Sequence, residues 1–288
     1  MPPVAPRSSE SVRLSRIITC AAVIVFAAAC SAGAEPPRRV VSLNLCTDQL
    51  VLMLADPGQI ASLSALASDP RSSGMADRAR AFPANNGSAE SVVLQQPDLI
   101  LAGTWTTRAT VDMLKRLGHR VEIFAPINTL EEARANILRM GNLLGRSPQA
   151  QEIVQDFDAR LAALRATPGR SPRVALYYAL GSTAGRDTLP GDILAAAGLS
   201  NIAEEKGLPF GGALPLEELI LADPDLILIG RPYGGHARAT ELLSHPVLKD
   251  SGKLHIIPDG AAWTCETPYL LDAVADMITL RQNWSARQ

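Results

Sequence analysis

The segment ESVVLQQPDLIL at residues 90–101 has a counterpart in EELILADPDLIL at residues 217–228. Each copy begins with a glutamate, continues through an apolar stretch to Pro-Asp-Leu, and ends in an apolar run. A proline disfavours helical backbone at the residue before it, so a short helix ends there and a strand can follow. The sequence therefore predicts the same helix–strand unit in two similar lobes, with Glu90 and Glu217 at equivalent corners.

Short apolar runs without polar alternation surround both copies, which is typical of parallel strands covered on both faces. The predicted strands lie near residues 39–43, 60–63, 99–102 and 121–124, and near 173–178, 226–229 and 254–257. Helical segments separate them, among them 47–55, with Thr47 as its cap, and 239–243. This alternation predicts an α/β fold of two doubly wound lobes joined by a single long helix.

The connecting helix is expected at residues 147–168. Ser147 at the cap and Pro148 at the first helical position form a strong start signal, and Thr167, Pro168 and Gly169 end the segment. The predicted organisation is therefore an N-terminal α/β lobe at 35–146, the linker helix, and a C-terminal α/β lobe at 169–288.

Residues 1–34 are expected to be a signal peptide. Arginines at positions 7, 13 and 16 precede an apolar run from Ile17 to Cys30, which is too short for a comfortable membrane span. Cleavage after Ala34 would release the chain, whereas cleavage before Cys30 would leave it lipid-anchored. The imperfect match around Cys30 favours release, and an uncleaved anchor is the third alternative. All three place the folded part outside the cytoplasm.

The composition excludes several classes of function. A formal net charge of −2 over 288 residues gives no indication of a nucleic-acid or anionic-membrane partner. The sequence has no Gly-x-Ser-x-Gly elbow, Walker loop or dinucleotide-binding Gly-x-Gly-x-x-Gly. Its four histidines form no paired metal-ligand motif. We therefore expect no catalytic residues, no metal site, no cofactor and no nucleic-acid partner, and we expect a monomer.

The run Arg-Val-Val-Ser-Leu at residues 39–43, the two Glu…Pro-Asp-Leu-Ile units and the helix between them together resemble one known family. It is the periplasmic-binding family for iron siderophores and cobalamin, and the resemblance extends from about Arg38 to Met277. It implies a periplasmic solute-binding protein that captures a metal-chelate nutrient, of ferric-siderophore or cobalamin type. The chelate would bind between the lobes and pass to the membrane permease of an ABC importer.

In that family, one surface glutamate on each lobe docks onto arginines of the membrane subunits, and the matching positions here are Glu90 and Glu217. Two separated carboxylates can steer and orient an encounter with a basic partner. The alternative is that each glutamate only complements a helix N-terminus, an effect of about 0.3–1 kcal/mol. Glu218 either shares the docking role or is a solvated neighbour.

In open α/β sheets, ligands bind outside the carboxyl ends of the strands. This rule nominates the segments that follow the strands, among them residues 44–48, 64–69 and 263–266. A large chelate needs aromatic faces to cover it and a few polar groups to orient it, and arginines can bind its carboxylate or catecholate oxygens. The alternative for each aromatic residue is ordinary core packing. The predicted cleft residues are Asn44, Cys46, Trp105, Tyr178, Arg186, Phe210, Arg231, Tyr233, Trp263 and Cys265. Unlike the related cobalamin binder, this chain has no tryptophan in the segments before the two glutamates.

Cys46 and Cys265 each follow a predicted strand, in opposite halves of the chain. In an oxidising compartment they either form a disulfide across the cleft, contact the ligand, or stay separate buried thiols. A bond between them would restrict the opening of the lobes.

Two other functions remain open at this level. A sensor or receptor-docking protein could use the same scaffold, and genomic adjacency to a permease and an ATPase would distinguish transport from sensing. An exported α/β enzyme is the further alternative, although the sequence lacks the motifs named above.

Overall fold

The computed structural model describes residues 1, 35–165, 169–231, 237–257 and 261–287. The predicted leader with Cys30 lies outside the described residues, apart from Met1, and so does Tyr233. The strands are β1 (Val40–Ser42), β2 (Ile60–Ser64), β3 (Ala84–Asn85), β4 (Leu99–Gly103), β5 (Val121–Phe124), β6 (Arg173–Leu176), β7 (Ser182–Thr183), β8 (Ser200–Asn201), β9 (Gly212–Ala213), β10 (Leu226–Gly230) and β11 (Leu254–Ile257).

The helices alternate with these strands along the chain. They are α1 (Leu45–Leu54), α2 (Ala76–Ala79), α3 (Ala89–Val93), α4 (Arg108–Arg116), α5 (Leu130–Leu144), α6 (Ser147–Arg165), α7 (Leu189–Ala196), α8 (Ile202–Glu205), α9 (Leu216–Ala222), α10 (Pro246–Lys249) and α11 (Leu270–Ser285). Short 3₁₀ helices lie at Pro57–Gln59, Ala65–Ser68, Ala179–Gly181, Arg238–Ser244 and Ala261–Trp263. Within the described ranges, no helix has both the length and the apolar content that crossing a membrane requires.

The strands form two parallel sheets with matching orders. The first sheet has the order β3-β2-β1-β4-β5, and the second has the order β11-β10-β6-β8. The order β8-β6-β10-β11 in the second sheet is connected in the same way as the order β2-β1-β4-β5 in the first. The remaining strands, β7 and β9, form a small antiparallel pair. The predicted fold of two α/β lobes is confirmed.

Each sheet is covered on both faces, which makes both lobes doubly wound. In β4, Leu99 and Leu101 belong to a core that includes residues of α1, α5 and α6. Ile100 points to the opposite face and packs in a core with residues of α3 and α4. The strand β10 alternates in the same way, with Leu226 toward α7 and α11 and Ile227 toward α9 and α10. This alternation explains why the sequence of both strands is apolar at every position.

The repeated sequence has the same conformation in both lobes. Gln96 and Asp223, the residues before the two prolines, both have left-handed backbone, with φ of 49° and 45°. Such a conformation is uncommon outside glycine and here ends α3 and α9 abruptly. Each short helix can therefore turn at once into the central strand that follows it.

The aspartate of each Pro-Asp-Leu sequence has a structural role. The carboxylate of Asp98 accepts hydrogen bonds from the backbone N–H groups of Arg38 and Arg39, at 2.7 and 3.0 Å. Asp225 accepts the equivalent bond from the N–H of Arg173, at 2.8 Å. Because Arg39 precedes β1 and Arg173 begins β6, each aspartate fixes the register of two central strands. This explains the Pro-Asp-Leu repeat without assigning a role to the glutamates.

An antiparallel helix pair, α5 and α6, lies between the two sheets in the chain. Gly145 ends α5 with left-handed backbone at φ 70°, a conformation that favours glycine, and α6 begins at Ser147. The guanidinium of Arg134 on α5 forms a salt bridge to Asp158 on α6, with Nε 2.6 Å from Oδ1.

Both helices of this pair pack in both lobes. Residues 150 and 154 of α6 belong to the core of the first lobe, whereas Phe157 and Leu161 belong to the core of the second. In α5 the order is reversed, with residues 130 and 133 in the second core and 137 and 140 in the first. The lobes are therefore joined by α6 and braced by α5, and the lobe boundaries at residues 146 and 168 stay a prediction.

A buried carboxyl group lies in the first lobe beneath the carboxyl edge of its sheet. Asp48 on α1 is fully buried, and its two oxygens accept hydrogen bonds from the N–H of Ser64, at 3.1 Å, and from its hydroxyl, at 2.5 Å. Burial disfavours the charged form and raises the pKa of the Asp48 carboxyl from 3.8 to about 7, although the bonds from Ser64 partly oppose this.

We predict that this carboxyl makes the stability of the fold depend on pH. Between pH 3.8 and about 7 the folded chain holds a proton that the unfolded chain has lost. The stabilisation is therefore complete below pH 3.8 and is lost as the pH rises through about 7, by up to about 1.4 kcal/mol per pH unit. In Asp48→Asn the neutral amide can keep both bonds to Ser64, so urea unfolding should show a weaker decline with pH. If the free energy of unfolding falls equally with pH in the two proteins, the raised pKa of Asp48 would be contradicted.

Candidate ligand-binding cleft

The centre of each sheet has a point where the connections reverse direction. In the first sheet it lies between β1 and β4, and in the second between β6 and β10. Ligands of open α/β sheets bind beyond the carboxyl ends of the strands at such points. Asn44 and Trp105 follow the two strands in the first lobe, and Tyr178 and Arg231 follow those in the second.

A cavity of about 260 Å³ lies at the carboxyl edge of the first sheet and includes residues of the second lobe. Three of the predicted cleft residues, Asn44, Cys46 and Trp105, line this cavity. The first lobe also contributes segments that follow β4 and β5, and the second lobe contributes a loop before α11. The remaining lining residues are Leu45, Gly103, Thr104, Phe124, Ala125, Pro126, Thr264 and Glu266.

Asn44 is the N-cap of α1. Its Oδ1 accepts hydrogen bonds from the N–H groups of Cys46 and Thr47, at 2.9 and 3.4 Å. The prediction that Thr47 caps this helix is therefore wrong, because Thr47 lies inside the helix and its hydroxyl donates to the carbonyl of Asn44 at 2.9 Å. A Cβ atom at Gly103 would lie 2.5 Å from Nδ2 of Asn44, so glycine at the end of β4 makes room for this amide.

A disulfide bond joins Cys46 to Cys265, with their Cα atoms 4.9 Å apart. Cys46 lies at the start of α1 in the first lobe, and Cys265 is fully buried in the loop before α11. Of the three alternatives that the sequence left open for this pair, the structure has the covalent bond. It brings the loop at residues 264–266 to the carboxyl edge of the first sheet.

Two aromatic residues give the cavity a rim and a wall. Trp105 is 82% exposed although it lines the cavity, so its ring lies at the opening. Phe124 at the end of β5 is buried, and the guanidinium of Arg139 lies 4.1 Å from the centre of its ring. The lining is thus mainly apolar with a few polar groups, as is usual for small-molecule sites.

Glu266 is a charged residue in the segment 263–266 that the strand-end rule nominated, although it was not among the named cleft residues. The predicted cleft included its neighbour Cys265, but not this carboxyl group. Glu266 is buried in the cavity wall, and its Oε1 accepts a hydrogen bond of 3.4 Å from Nδ2 of Asn136 on α5. Burial raises the pKa of the Glu266 carboxyl above its ordinary value. The signal in the sequence was its position directly after a cysteine in a loop that follows a strand.

Tyr178 and Trp263 each pack against the core of the second lobe, and both are partly buried. Burial raises the pKa of the Tyr178 phenol to about 12. The indole N–H of Trp263 is buried without a hydrogen-bond acceptor among the described residues. Of the described residues, neither Tyr178 nor Trp263 lines the cavity, and their role in binding stays a prediction.

Other predicted residues lie on loops of the second lobe. Arg186 is exposed, and its Nε lies 3.3 Å from Oδ1 of Asp187. The N–H of Asp187 donates to the carbonyl of Pro209, which places Arg186 near the exposed Phe210. Arg231 follows β10 and is exposed. Within the described part of the chain none of these side chains lines the cavity, and Tyr233 lies outside that part.

The two repeated glutamates are exposed near the N-termini of α3 and α9. Among the described residues, neither Glu90 nor Glu217 forms a salt bridge. Glu218 differs from them, because its carboxylate lies 3.6 Å from the ammonium group of Lys206. The two glutamates lie in different lobes, each at the start of the helix before a Pro-Asp-Leu strand.

No group of three or more His, Cys, Asp or Glu side chains that could hold a metal ion occurs in the described part of the chain. The polar groups of the cavity belong to an amide, hydroxyls and one carboxyl. These groups can orient an organic ligand through hydrogen bonds.

Comparison with known proteins gives a consistent result. The family model described as "Periplasmic binding protein" matches residues 40–251. A cobalamin-binding protein of Halobacterium salinarum is 29% identical over 199 residues, which cover 67% of this chain and 54% of that protein. The chain thus spans about half the length of the curated relatives it matches.

Solved structures share the fold. A periplasmic heme-binding protein from Roseiflexus in its apo form has a TM-score of 0.69 at 21% identity, covering 86% of this chain and 99% of that chain. A periplasmic vitamin B12-binding protein of Vibrio cholerae has a TM-score of 0.65 at 18% identity, covering 86% and 98%. At these identities the likeness concerns the two-lobed architecture.

Proposed function

The chain belongs to the periplasmic binding protein family, and on that premise we propose that it captures a metal-chelate nutrient outside the cytoplasm. The chelate is of ferric-siderophore or cobalamin type, and the protein delivers it to the membrane permease of an ABC importer. The cobalamin-binding relative and the heme- and vitamin B12-binding structures support this class of ligand, because all bind a metal held in an organic framework.

The observation that carries the proposal is the cavity at the carboxyl edge of the first sheet, closed on one side by the second lobe. Its walls are mainly apolar, with the Asn44 amide, the threonine hydroxyls and the Glu266 carboxyl as polar groups. A neutral, planar or macrocyclic chelate buries apolar surface against such walls, while a few hydrogen bonds set its orientation.

The size of the cavity limits how the chelate can bind. A volume of about 260 Å³ is slightly below the usual range of ligand pockets and is too small for a whole corrin, porphyrin or siderophore complex. We therefore place one edge or side arm of the chelate in the cavity, and the larger ring system across its opening against Trp105. Arg186, Phe210, Arg231 and Trp263 of the second lobe then contribute only where the ligand extends beyond the cavity.

The protonation state of the Glu266 carboxyl determines which ligand groups it can bind. Burial raises the pKa of this carboxyl, so it keeps its proton to a higher pH than an exposed glutamate does, and in the protonated form it can donate a hydrogen bond to a ligand carbonyl or carboxylate. In its charged form it accepts hydrogen bonds only, so it favours ligands with amide or hydroxyl donors.

Delivery requires recognition by the membrane partner, and we assign it to Glu90 and Glu217. Both are exposed at equivalent positions of the two lobes, and neither forms a salt bridge with a described residue. The Pro-Asp-Leu repeat is explained by its hydrogen bonds to the neighbouring strands, whereas nothing in the fold requires a glutamate seven residues earlier. The leader at residues 1–34 would direct export, with release after Ala34 favoured over anchoring at Cys30.

We predict that Trp105→Ala weakens binding of the chelate by about tenfold, because an aromatic face at the cavity opening is lost. Folding should be little affected, since the side chain is 82% exposed. The measurement is a fluorescence titration with cobalamin, heme, and ferric hydroxamate, catecholate and citrate chelates.

The control is Leu117→Ala, which removes an apolar side chain that is 56% exposed but does not line the cavity and is not a predicted cleft residue. It should bind the same chelate with nearly unchanged affinity. Equal weakening by both substitutions would remove the cavity from the binding site, and the absence of saturable binding by every chelate would contradict the proposed function.

We predict that the double variant Glu90→Ala/Glu217→Ala lowers uptake by roughly tenfold or more, because it lacks the two charges that orient docking. Its affinity for the chelate should be unchanged, because neither glutamate lines the cavity. Uptake of the labelled chelate is measured in cells whose own copy of the protein is deleted. Glu218→Ala is the control, because this carboxylate is already paired with Lys206. A loss of chelate affinity in the double variant, or an equal loss of uptake in the control, would show that the docking assignment is wrong.

A further inference from the structure

Each of the two repeated helices carries one exposed leucine, four residues after its glutamate. Leu94 is 77% exposed and follows Glu90, and Leu221 is 82% exposed and follows Glu217. Side chains four residues apart lie on the same face of a helix, and Leu94 keeps helical backbone at the end of α3. Each lobe therefore presents a carboxylate and a large apolar side chain next to each other.

The exposure of these leucines is not a consequence of core packing. Two residues before each of them, Val92 and Leu219 are fully buried and form part of the cores under α3 and α9. Within the described residues, neither Leu94 nor Leu221 belongs to a hydrophobic core cluster. In both lobes a fully buried apolar residue is thus followed, two positions later, by an exposed leucine.

A preference for helical structure does not account for the leucines either. Alanine is a better helix former than leucine and would expose less apolar surface. A single exposed leucine on a protein surface needs no explanation. The same exposed leucine at equivalent positions of two lobes, beside the same acidic residue, indicates a surface that is used twice.

We propose that Leu94 and Leu221 are the apolar anchors of the surface on which Glu90 and Glu217 provide the charges. The partner is a membrane permease that presents two equivalent sites, each an apolar pocket beside a basic side chain. This inference rests on the proposed function, since it adds a second kind of contact to the same docking surface. The two carboxylates favour a partner with basic side chains. Because the Glu–Leu pair occurs once in each lobe, a partner with two alike subunits fits this surface.

The two kinds of side chain act on different steps of docking. Carboxylates at the rim of an interface speed association and make it sensitive to salt. An apolar anchor that is buried in the complex slows dissociation, and its contribution is insensitive to moderate salt. Substituting the leucines should therefore give a kinetic result that substituting the glutamates does not.

The test measures the binding of the full-length mature protein to the permease and ATPase subunits encoded with it, reconstituted in lipid nanodiscs, by surface plasmon resonance at low and moderate salt. Leu94→Ala/Leu221→Ala should dissociate about tenfold faster, with its association rate and salt dependence unchanged. Glu90→Ala/Glu217→Ala should associate more slowly and lose most of the salt dependence.

The control is Leu117→Ala/Ile256→Ala, which removes one exposed apolar side chain from each lobe, at 56% and 59% exposure, outside the repeated helices. Its kinetics should equal those of the wild type. If the Leu94/Leu221 variant dissociates at the wild-type rate while the glutamate variant binds more weakly, the leucines are not anchors. That result would overturn the inference and leave the docking proposal intact. Unchanged kinetics of both variants would overturn both proposals.

Sedimentation velocity of the free protein tests whether a second copy of the chain, rather than the permease, binds this surface. A monomer before and after the leucine substitutions supports the permease as the partner. A wild-type dimer that the leucine substitutions dissociate would overturn the inference, because the leucines would then serve self-association.

Discussion

The covalent bond between Cys46 and Cys265 is the constraint on which the cleft depends. It joins residues separated by 219 positions in the sequence and holds their Cα atoms 4.9 Å apart. In the chain-entropy model, a loop of that length is worth about 5 kcal/mol to the folded state. The lobes are thus tied at two places, through the α5–α6 pair and through the disulfide, and we expect the cleft to be largely formed before a ligand arrives.

The repetition of one local unit explains how a single chain builds two equivalent lobes. In each lobe a short helix ends in left-handed backbone, a proline follows, and an aspartate binds the backbone of the neighbouring strand. These local interactions fix the central strands and, with them, the direction of the helix that precedes them. The exposed faces of α3 and α9 therefore have the same arrangement in both lobes, which is what recognition by a partner with two alike subunits requires.

Sequence patterns predicted the fold well because its determinants are local. Apolar runs located the central strands, and Ser147 with Pro148 located the start of α6. Local rules were less reliable at helix ends, where Asn44 outcompetes Thr47 as a cap, and at residues 239–243, where the helix is of the tighter 3₁₀ form.

The cleft was predicted only in part. Asn44, Cys46 and Trp105 could be chosen because they follow central strands of one lobe. Glu266 lay in a nominated segment, but its burial could not be predicted, because it arises where residues of different lobes meet, around a disulfide that the sequence left as one of three alternatives. The most direct test of a preformed cleft is small-angle X-ray scattering from the oxidised protein, before and after saturation with its chelate. A preformed cleft gives the same radius of gyration in both states, whereas a clear contraction on binding would show that the lobes close around the ligand.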